Sequence, residues 1–215
     1  MKTSGKFITL EGPEGCGKST HARMLYEYLK GAGYRCVLTR EPGGTAFGER
    51  VRKILLDPSN RGMTLDCETL LFEASRAALV DEVIAPALAK GFIVLCDRFS
   101  DATMVYQGLA GGQDIKKIET LDERARRGIK PCLTITLDIE AGEGLRRAKR
   151  AHNRKRKIFK WDRVERRPLA YHRRVRRGYL KIAALEKNRV KVIRTHSDIN
   201  LTQKLIRRVV EAGIS

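Results

Sequence analysis

Residues 12–20 read Gly-Pro-Glu-Gly-Cys-Gly-Lys-Ser-Thr, a glycine followed after four residues by Gly-Lys-Ser. This pattern is suited to holding phosphate. Glycines let successive backbone N–H groups turn inward around phosphate oxygens, and a helix beginning at the end of the loop adds its positive dipole end. Lys18 supplies a mobile cation for the outer phosphates, and the Ser19 hydroxyl can ligate Mg²⁺. Gly12, Pro13, Glu14, Gly15, Cys16, Gly17, Lys18, Ser19 and Thr20 are therefore read together as a nucleotide-phosphate site. Asp97 closes the apolar run Phe92–Cys96 and is the candidate carboxylate beside such a loop. Arg98 follows it, where water-activating nucleotide hydrolases carry Glu. A cation there suits a second phosphorylated substrate, because phosphoryl transfer depends on positioning and on neutralising charge at both donor and acceptor. Taken alone, an Asp-Arg pair ending a strand is equally an ordinary surface ion pair worth about 0–1 kcal/mol.

The elements that must carry these residues are legible as short apolar runs alternating with amphipathic stretches. Strands are predicted at Phe7–Glu11, Arg35–Thr39, Phe92–Cys96, Cys132–Asp138 and Val190–Arg194. Helices are predicted at Ser19–Lys30, Phe47–Leu56, Cys67–Lys90, Ile115–Arg127, Glu140–Ala151, Arg167–Glu186 and Leu201–Ala212. Such alternation points to an α/β fold with a mainly parallel sheet. The first strand runs straight into the glycine loop, and the helix after it carries Met24, Leu25, Tyr28 and Leu29 as an apolar stripe. Pro86 is expected to kink the third helix or to end its first segment.

The chain has 215 residues, the size of one domain, and 42% of them are apolar, enough for a buried core. No apolar run approaches the length of a membrane span. A cleaved leader is not expected, since the glycine loop already begins at Gly12. The five cysteines are scattered without a C-x-x-C pair or a histidine at metal-ligand spacing, and are read as small core residues in a reducing cytoplasm. Forty-four Lys and Arg against 25 Asp and Glu give a formal charge of +19, which calls for a polyanionic partner. The charge is local: Arg146–Arg177 holds 16 of the basic residues and only two acids, Asp162 and Glu165. Most of these cations are expected to be a solvated face.

Four further segments carry a family likeness. They are Thr39-Arg40-Glu41-Pro42-Gly43-Gly44-Thr45; Leu71-Phe72-Glu73-Ala74-Ser75-Arg76; Asp97-Arg98-Phe99 running on to Tyr106-Gln107-Gly108; and Asp162-Arg163-Val164-Glu165 before Tyr171–Leu180. With the Pro-Glu-Gly-Cys-Gly-Lys-Ser-Thr loop, in this order and at these intervals, the chain resembles a bacterial-type thymidylate kinase from residue 6 to about 185. The resemblance implies a P-loop nucleoside-monophosphate-kinase fold: a parallel five-stranded sheet flanked by helices in one domain, with a basic lid over about residues 146–165. It also implies a cytoplasmic homodimer that transfers the γ-phosphoryl group of ATP to dTMP, with Mg²⁺, to give dTDP. Asp97 would hold Mg²⁺ alongside Ser19. Phe72 would stack on the thymine ring, with Arg76 one helical turn on reaching an edge oxygen of the base. Both would lie on the face away from the Leu71/Ala74/Ala78 stripe, which is expected to pack on the sheet. Arg98 would clamp the dTMP phosphate, with Arg40 and Arg52 as further candidates. Glu14 would reach the sugar 3′-hydroxyl, Gln107 would hydrogen-bond the base, and Tyr106 would crowd the 2′ position against ribonucleotides.

Pro13–Cys16 contains no arginine, and in this family the lid then supplies one. Arg146 and Arg150, one turn apart, are the candidates, with Arg147, Arg154 and Arg156 as alternates. Ala102 stands where the family often has Ser and Val105 where it usually has Ala; both are expected near the nucleoside, where Thr103 keeps a hydroxyl. Trp161 is expected to pack against the helix that follows it. Two other readings stay open at this point. One is a kinase of another nucleoside monophosphate such as dUMP. The other is a basic nucleic-acid-binding protein, although the basic stretch has few interleaved aromatics and no recognised nucleic-acid motif.

Overall fold

The structure, a computed structural model, describes residues 5–154 and 162–214, with the side chains of residues 152–154 left aside. Arg154, Arg156 and Trp161, named above, thus lie outside the described side chains. Five strands form one all-parallel sheet: β1 (Lys6–Glu11), β2 (Cys36–Arg40), β3 (Ile93–Asp97), β4 (Leu133–Asp138) and β5 (Val190–Arg194), in the order β2-β3-β1-β4-β5. All five predicted strands are present, with no end shifted by more than a residue. Strand residues alternate between two apolar layers, as a sheet covered on both faces requires. Ile8 and Leu10 point into a layer with Leu25, Leu29, Ile206 and Val210, beneath α1 (Lys18–Gly31) and α9 (Ile199–Ile214). Phe7, Val94 and Cys96 point the other way, against Leu79, Val80, Ile84 and Phe99.

Register gathers the working parts on one edge. Arg40 on β2 pairs with Asp97 on β3, and Asp97 with Leu10 on β1, so three strands end side by side. The segments that follow them gather at this carboxyl edge, the usual ligand side of a parallel sheet. α2 (Ala46–Leu56) is capped there by the Thr45 hydroxyl, which accepts the Gly48 N–H at 2.9 Å.

Two departures from expectation have physical causes. The predicted single helix Cys67–Lys90 is three segments: α3 (Leu65–Leu79), a π-wound stretch, Val80–Ile84, and α4 (Ala85–Ala89). The wider winding places Pro86 in the first turn of a new segment, where its missing N–H is tolerated. The second departure is a helical segment with no counterpart in the sequence reading: α5 (Ser100–Thr103), which runs into a π-wound stretch, Met104–Leu109. Its buried positions include Asp101, Thr103 and Gln107, so apolar periodicity cannot reveal it. α6 (Ile115–Arg126), α7 (Ala141–Arg154) and α8 (Leu169–Leu185) complete the layers, and α8 packs Tyr171, Val175 and Tyr179 on Val105 and Tyr106.

Candidate active site

The loop between β1 and α1 surrounds Lys18, whose Nζ donates to the carbonyls of Gly12 (3.0 Å) and Pro13 (2.9 Å) and contacts Cys16 Sγ at 3.5 Å. Glu14, Gly15, Gly17, Lys18, Ser19 and Thr20 line a cleft of about 930 Å³, while Gly12, Pro13 and Cys16 support Lys18 from behind. The Ser19 hydroxyl donates to Asp97 Oδ2, which brings the two predicted metal ligands together across the cleft floor. α7 meets this loop at very close range. A Cβ on Gly15 would stand 1.8 Å from the Gly144 carbonyl oxygen, and one on Gly144 would stand 2.2 Å from that of Glu14. Gly15 also has φ +69°, a left-handed conformation costly for other residues.

Among the described lid residues, that approach sets which arginine faces the cleft. Arg147, Ala148 and Ala151 line it. Arg146 does not: it is 63% exposed and paired with Glu143 Oε2 at 2.8 Å. Arg150 is exposed and also off the cleft wall. The one-turn spacing of Arg146 and Arg150 does put them on one helical face, but the close contact at Gly144 turns the adjacent face inward.

A narrower slot of about 100 Å³ opens beside the cleft, lined by Phe72, Arg76, Ala102, Thr103, Tyr106, Gln107, Asp162 and Val164. Glu14, Glu41, Arg52 and Arg98 line both cavities and form their junction. Arg98 is held there by four contacts. Its Nη1 donates to the Gly12 carbonyl (3.2 Å) and the Tyr179 hydroxyl (3.0 Å), and its Nη2 to Glu14 Oε1 (2.8 Å) and the Tyr106 hydroxyl (2.9 Å). The Tyr106 hydroxyl in turn donates to Glu14 Oε1 at 2.8 Å. Burial would push the Glu14 carboxyl up, but Arg98 and Lys18 outweigh it and hold it down to about 2. Arg52 Nη1 donates to the Pro42 carbonyl at 2.9 Å. Arg40 stands apart from the slot on the rim of the large cleft, bonded to both oxygens of Glu49 at 2.9 Å.

Phe72 and Arg76 do share the slot, but the helix is turned differently from the sequence reading. Leu71, Ala74 and Ala78 are only half-buried, whereas Glu68, Ser75, Arg76 and Leu79 are the residues packed inward. Arg76 is 1% exposed and all five of its N–H donors are engaged. Nε and Nη2 bind Glu41, Nη1 binds Glu73 (2.7 Å) and Asp122 (2.9 Å), and Nη2 also reaches the Thr103 hydroxyl (2.9 Å). A contact from Arg76 to a base edge thus requires exchange of one of these bonds. Ala102 lines the slot; Val105 does not, since it packs among Tyr171, Val175 and Tyr179, opposite Gly178. Most of the described cations of the basic stretch are exposed, as expected, but several also make specific bonds. Arg163 and Arg167 pair with Glu68, Arg176 with Asp138, and Arg146 and Arg147 with Glu143, while Arg174 donates to the Ala110 carbonyl.

Glu11 was not among the predicted residues. At the end of β1 and fully buried, it accepts the Phe99 N–H on Oε1 (2.7 Å) and the Tyr179 hydroxyl on Oε2 (2.8 Å). It thereby fixes the turn in which Arg98 adopts φ +73°, a conformation costing non-glycine residues about 1–3 kcal/mol. An acid ending an otherwise apolar strand, directly before the phosphate loop, was the available signal. Glu41, Asp122 and Glu68 were missed for the same reason: their partners come from distant segments.

Comparison with known proteins agrees with this geometry. The family model described as thymidylate kinase matches residues 10–206. The thymidylate kinase of Roseiflexus castenholzii is 44% identical over 211 residues, covering 95% of this chain and 92% of the relative. That of Geotalea daltonii is 44% identical over 206 residues, covering 96% of each. The crystal structure of thymidylate kinase from Ehrlichia chaffeensis superposes with a TM-score of 0.76 at 31% identity, covering 97% of this chain and 99% of that one.

Burial, reinforced by Asp101, pushes the Glu11 carboxyl from its usual 4.5 up to about 8. Between those values the folded protein keeps a proton that the unfolded chain has lost, so stability falls as pH rises from about 4.5 to 8. Glu11→Gln removes this component. Its urea midpoint is expected to drop less between pH 5 and pH 8 than that of the unaltered protein, measured by circular dichroism. In Gly144→Ala the new methyl must push α7 off the phosphate loop. The KM for the phosphate donor is expected to rise about tenfold, equivalent to ~1.4 kcal/mol, with acceptor affinity measured without donor unchanged.

Proposed function

The chain belongs to the thymidylate kinase family, and from that premise we propose that it transfers the γ-phosphoryl group of ATP to dTMP, giving dTDP, across the junction of the two cavities. The observation that carries this reading is the shared lining: Glu14, Glu41, Arg52 and Arg98 bound both the phosphate cleft and the slot. A phosphoryl group passing from one cavity to the other meets two guanidinium groups there, and transfer of this kind is governed by such positioning and charge neutralisation.

In this reading the loop Gly12–Thr20 and Lys18 bind the ATP phosphates, with Arg147 approaching from α7. Arg98 and Arg52 take the dTMP phosphate, Arg98 exchanging its bond to Glu14 for phosphate oxygens. That exchange leaves the Glu14 carboxylate, already at the mouth of the slot, to accept the sugar 3′-hydroxyl. Tyr106 occupies the space a 2′-hydroxyl would need. Phe72 stacks on the thymine, Gln107 bonds it, and Arg76 reaches its edge by giving up the Thr103 hydroxyl. Arg40 is a rim cation rather than a direct ligand. Ser19 and Asp97 would hold Mg²⁺; their hydroxyl and carboxylate are the hard oxygen donors it prefers, with phosphate and water completing its shell. When bound, that ion neutralises charge on the phosphate oxygens.

Residues 146–165 act as a lid on a single kinase domain, which works as a cytoplasmic homodimer. Among the described residues no helix is long and apolar enough to cross a membrane.

A panel of nucleoside monophosphates, assayed by ADP release with ATP and Mg²⁺, tests the reading. dTMP is expected to give the highest kcat/KM, and a preference for any other acceptor would sink the proposal. In Arg98→Ala the KM for dTMP should rise about 10–100-fold, from loss of charge-assisted bonds to phosphate, and far more than the KM for ATP. Tyr106→Ala should accept the ribonucleotide; unchanged sugar preference would remove Tyr106 from that role.

A further inference from the structure

We propose that Glu68 is a specificity-determining positioning residue: its carboxylate sets which end of the Gln107 amide faces the acceptor base, and ties that amide to the segment returning from the lid. This deepens the reading above and rests on it, since it places the base in the slot with Phe72 and Gln107.

Glu68 lies on α3, one turn before Phe72, and is 1% exposed. Its two oxygens are fully used. Oε1 accepts the Gln107 amide Nε2–H at 2.5 Å. Oε2 accepts Arg163 Nη1 at 2.5 Å and Arg167 Nη2 at 2.7 Å, both from the basic stretch. With two guanidinium groups on it, the carboxylate is an acceptor only, so the NH₂ end of the amide must face it. Gln107 therefore turns Oε1 away from Glu68, and among the described residues no group donates to that oxygen.

A carbonyl oxygen aimed at a pyrimidine selects for a ring N–H. A 2,4-dione ring carries N3–H; a 4-amino-2-one ring carries a lone pair at the same position. The second base would set two acceptors face to face and leave Gln107 Oε1 buried without a donor, at a cost of about ten- to hundredfold in binding. Glu68 thus enforces the choice without touching the base. Its second oxygen extends the effect to the slot wall. Arg163 also donates from Nε to the Leu55 carbonyl (2.9 Å) and from its backbone N–H to that of Leu56 (3.3 Å), so the wall residues Asp162 and Val164 are pinned beside Gln107.

The test is the ratio of kcat/KM for dTMP to that for dCMP, measured on the full chain with ATP. The amide of Glu68→Gln can donate or accept, so Gln107 is free to reverse. The ratio is expected to fall at least tenfold, through a higher KM for dTMP and a gain of dCMP phosphorylation. General loosening of the site would raise both KM values together and leave the ratio unmoved. Gln107→Leu separates the two levels of the argument. If it leaves the KM for dTMP unchanged, the base does not lie against Gln107, and this proposal falls with the slot assignment. If it raises that KM while a folded Glu68→Gln keeps the original ratio, the slot assignment stands and the role of Glu68 is overturned. Should Glu68→Gln fail to fold, the unaltered protein answers instead. The Gln107 side-chain NH₂ resonances, identified by their loss in Gln107→Leu, are expected to include one downfield, slowly exchanging proton bonded to carboxylate. Two ordinary, rapidly exchanging protons would overturn the proposal.

Discussion

The guanidinium of Arg98 is the contact on which the rest of the site depends. A charge this far out of water persists only when its donors are satisfied, and the partners of Arg98 come from four separate places. They are the phosphate loop (Gly12 and Glu14), the helical segment after β3 (Tyr106), α8 (Tyr179) and, through its backbone, β1. Its left-handed backbone points the side chain back across the strand ends instead of along β3, and Glu11 holds that turn from beneath. One residue therefore sets the distance between the donor cleft and the acceptor slot. The carboxylate, tyrosines and carbonyl that satisfy it are the groups a second phosphate must displace or share.

Behind the slot lies a second buried charge cluster, with a different effect. Arg76 and Arg126 face Glu41, Glu73 and Asp122, three acids to two cations. Burial pushes the Glu41 carboxyl up to about 7 despite Arg76 beside it. Buried ion clusters are poor sources of net stability, because desolvation offsets much of the Coulomb attraction. They do hold geometry, since breaking one contact leaves an unpaired charge. With every Arg76 donor engaged, the slot has a rigid back wall that couples the segment after β2, α3, α6 and Thr103. A side chain held this firmly can offer a base edge one definite orientation.

The large positive charge also becomes intelligible in part. Several arginines of the basic stretch are bonds between elements rather than a solvated face. Arg163 and Arg167 tie the end of the lid region to α3, and Arg176 ties α8 to the end of β4. Guanidinium groups suit this use, because their planar donors match carboxylates and remain charged when partly buried.

The sequence alone was sufficient for the sheet and the phosphate loop. The reason is local: a strand, a glycine loop and a helix start are specified by adjacent residues, and so is the Asp97-Arg98 step. It did not specify the helical segment 100–109, whose buried positions include the polar Asp101, Thr103 and Gln107. Nor did it specify the phase of α3 and α7. Spacing shows that Arg146 and Arg150, or Phe72 and Arg76, share a face; it cannot show which way that face points. Only packing decides that, here through the contact of Gly144 with the phosphate loop and the burial of Glu68 and Arg76 against distant segments. Glu11, Glu41 and Glu68 escaped detection for the same physical reason. An acid in a sequence reads as solvated surface, and it becomes part of a site only when folding removes the water and supplies the partner.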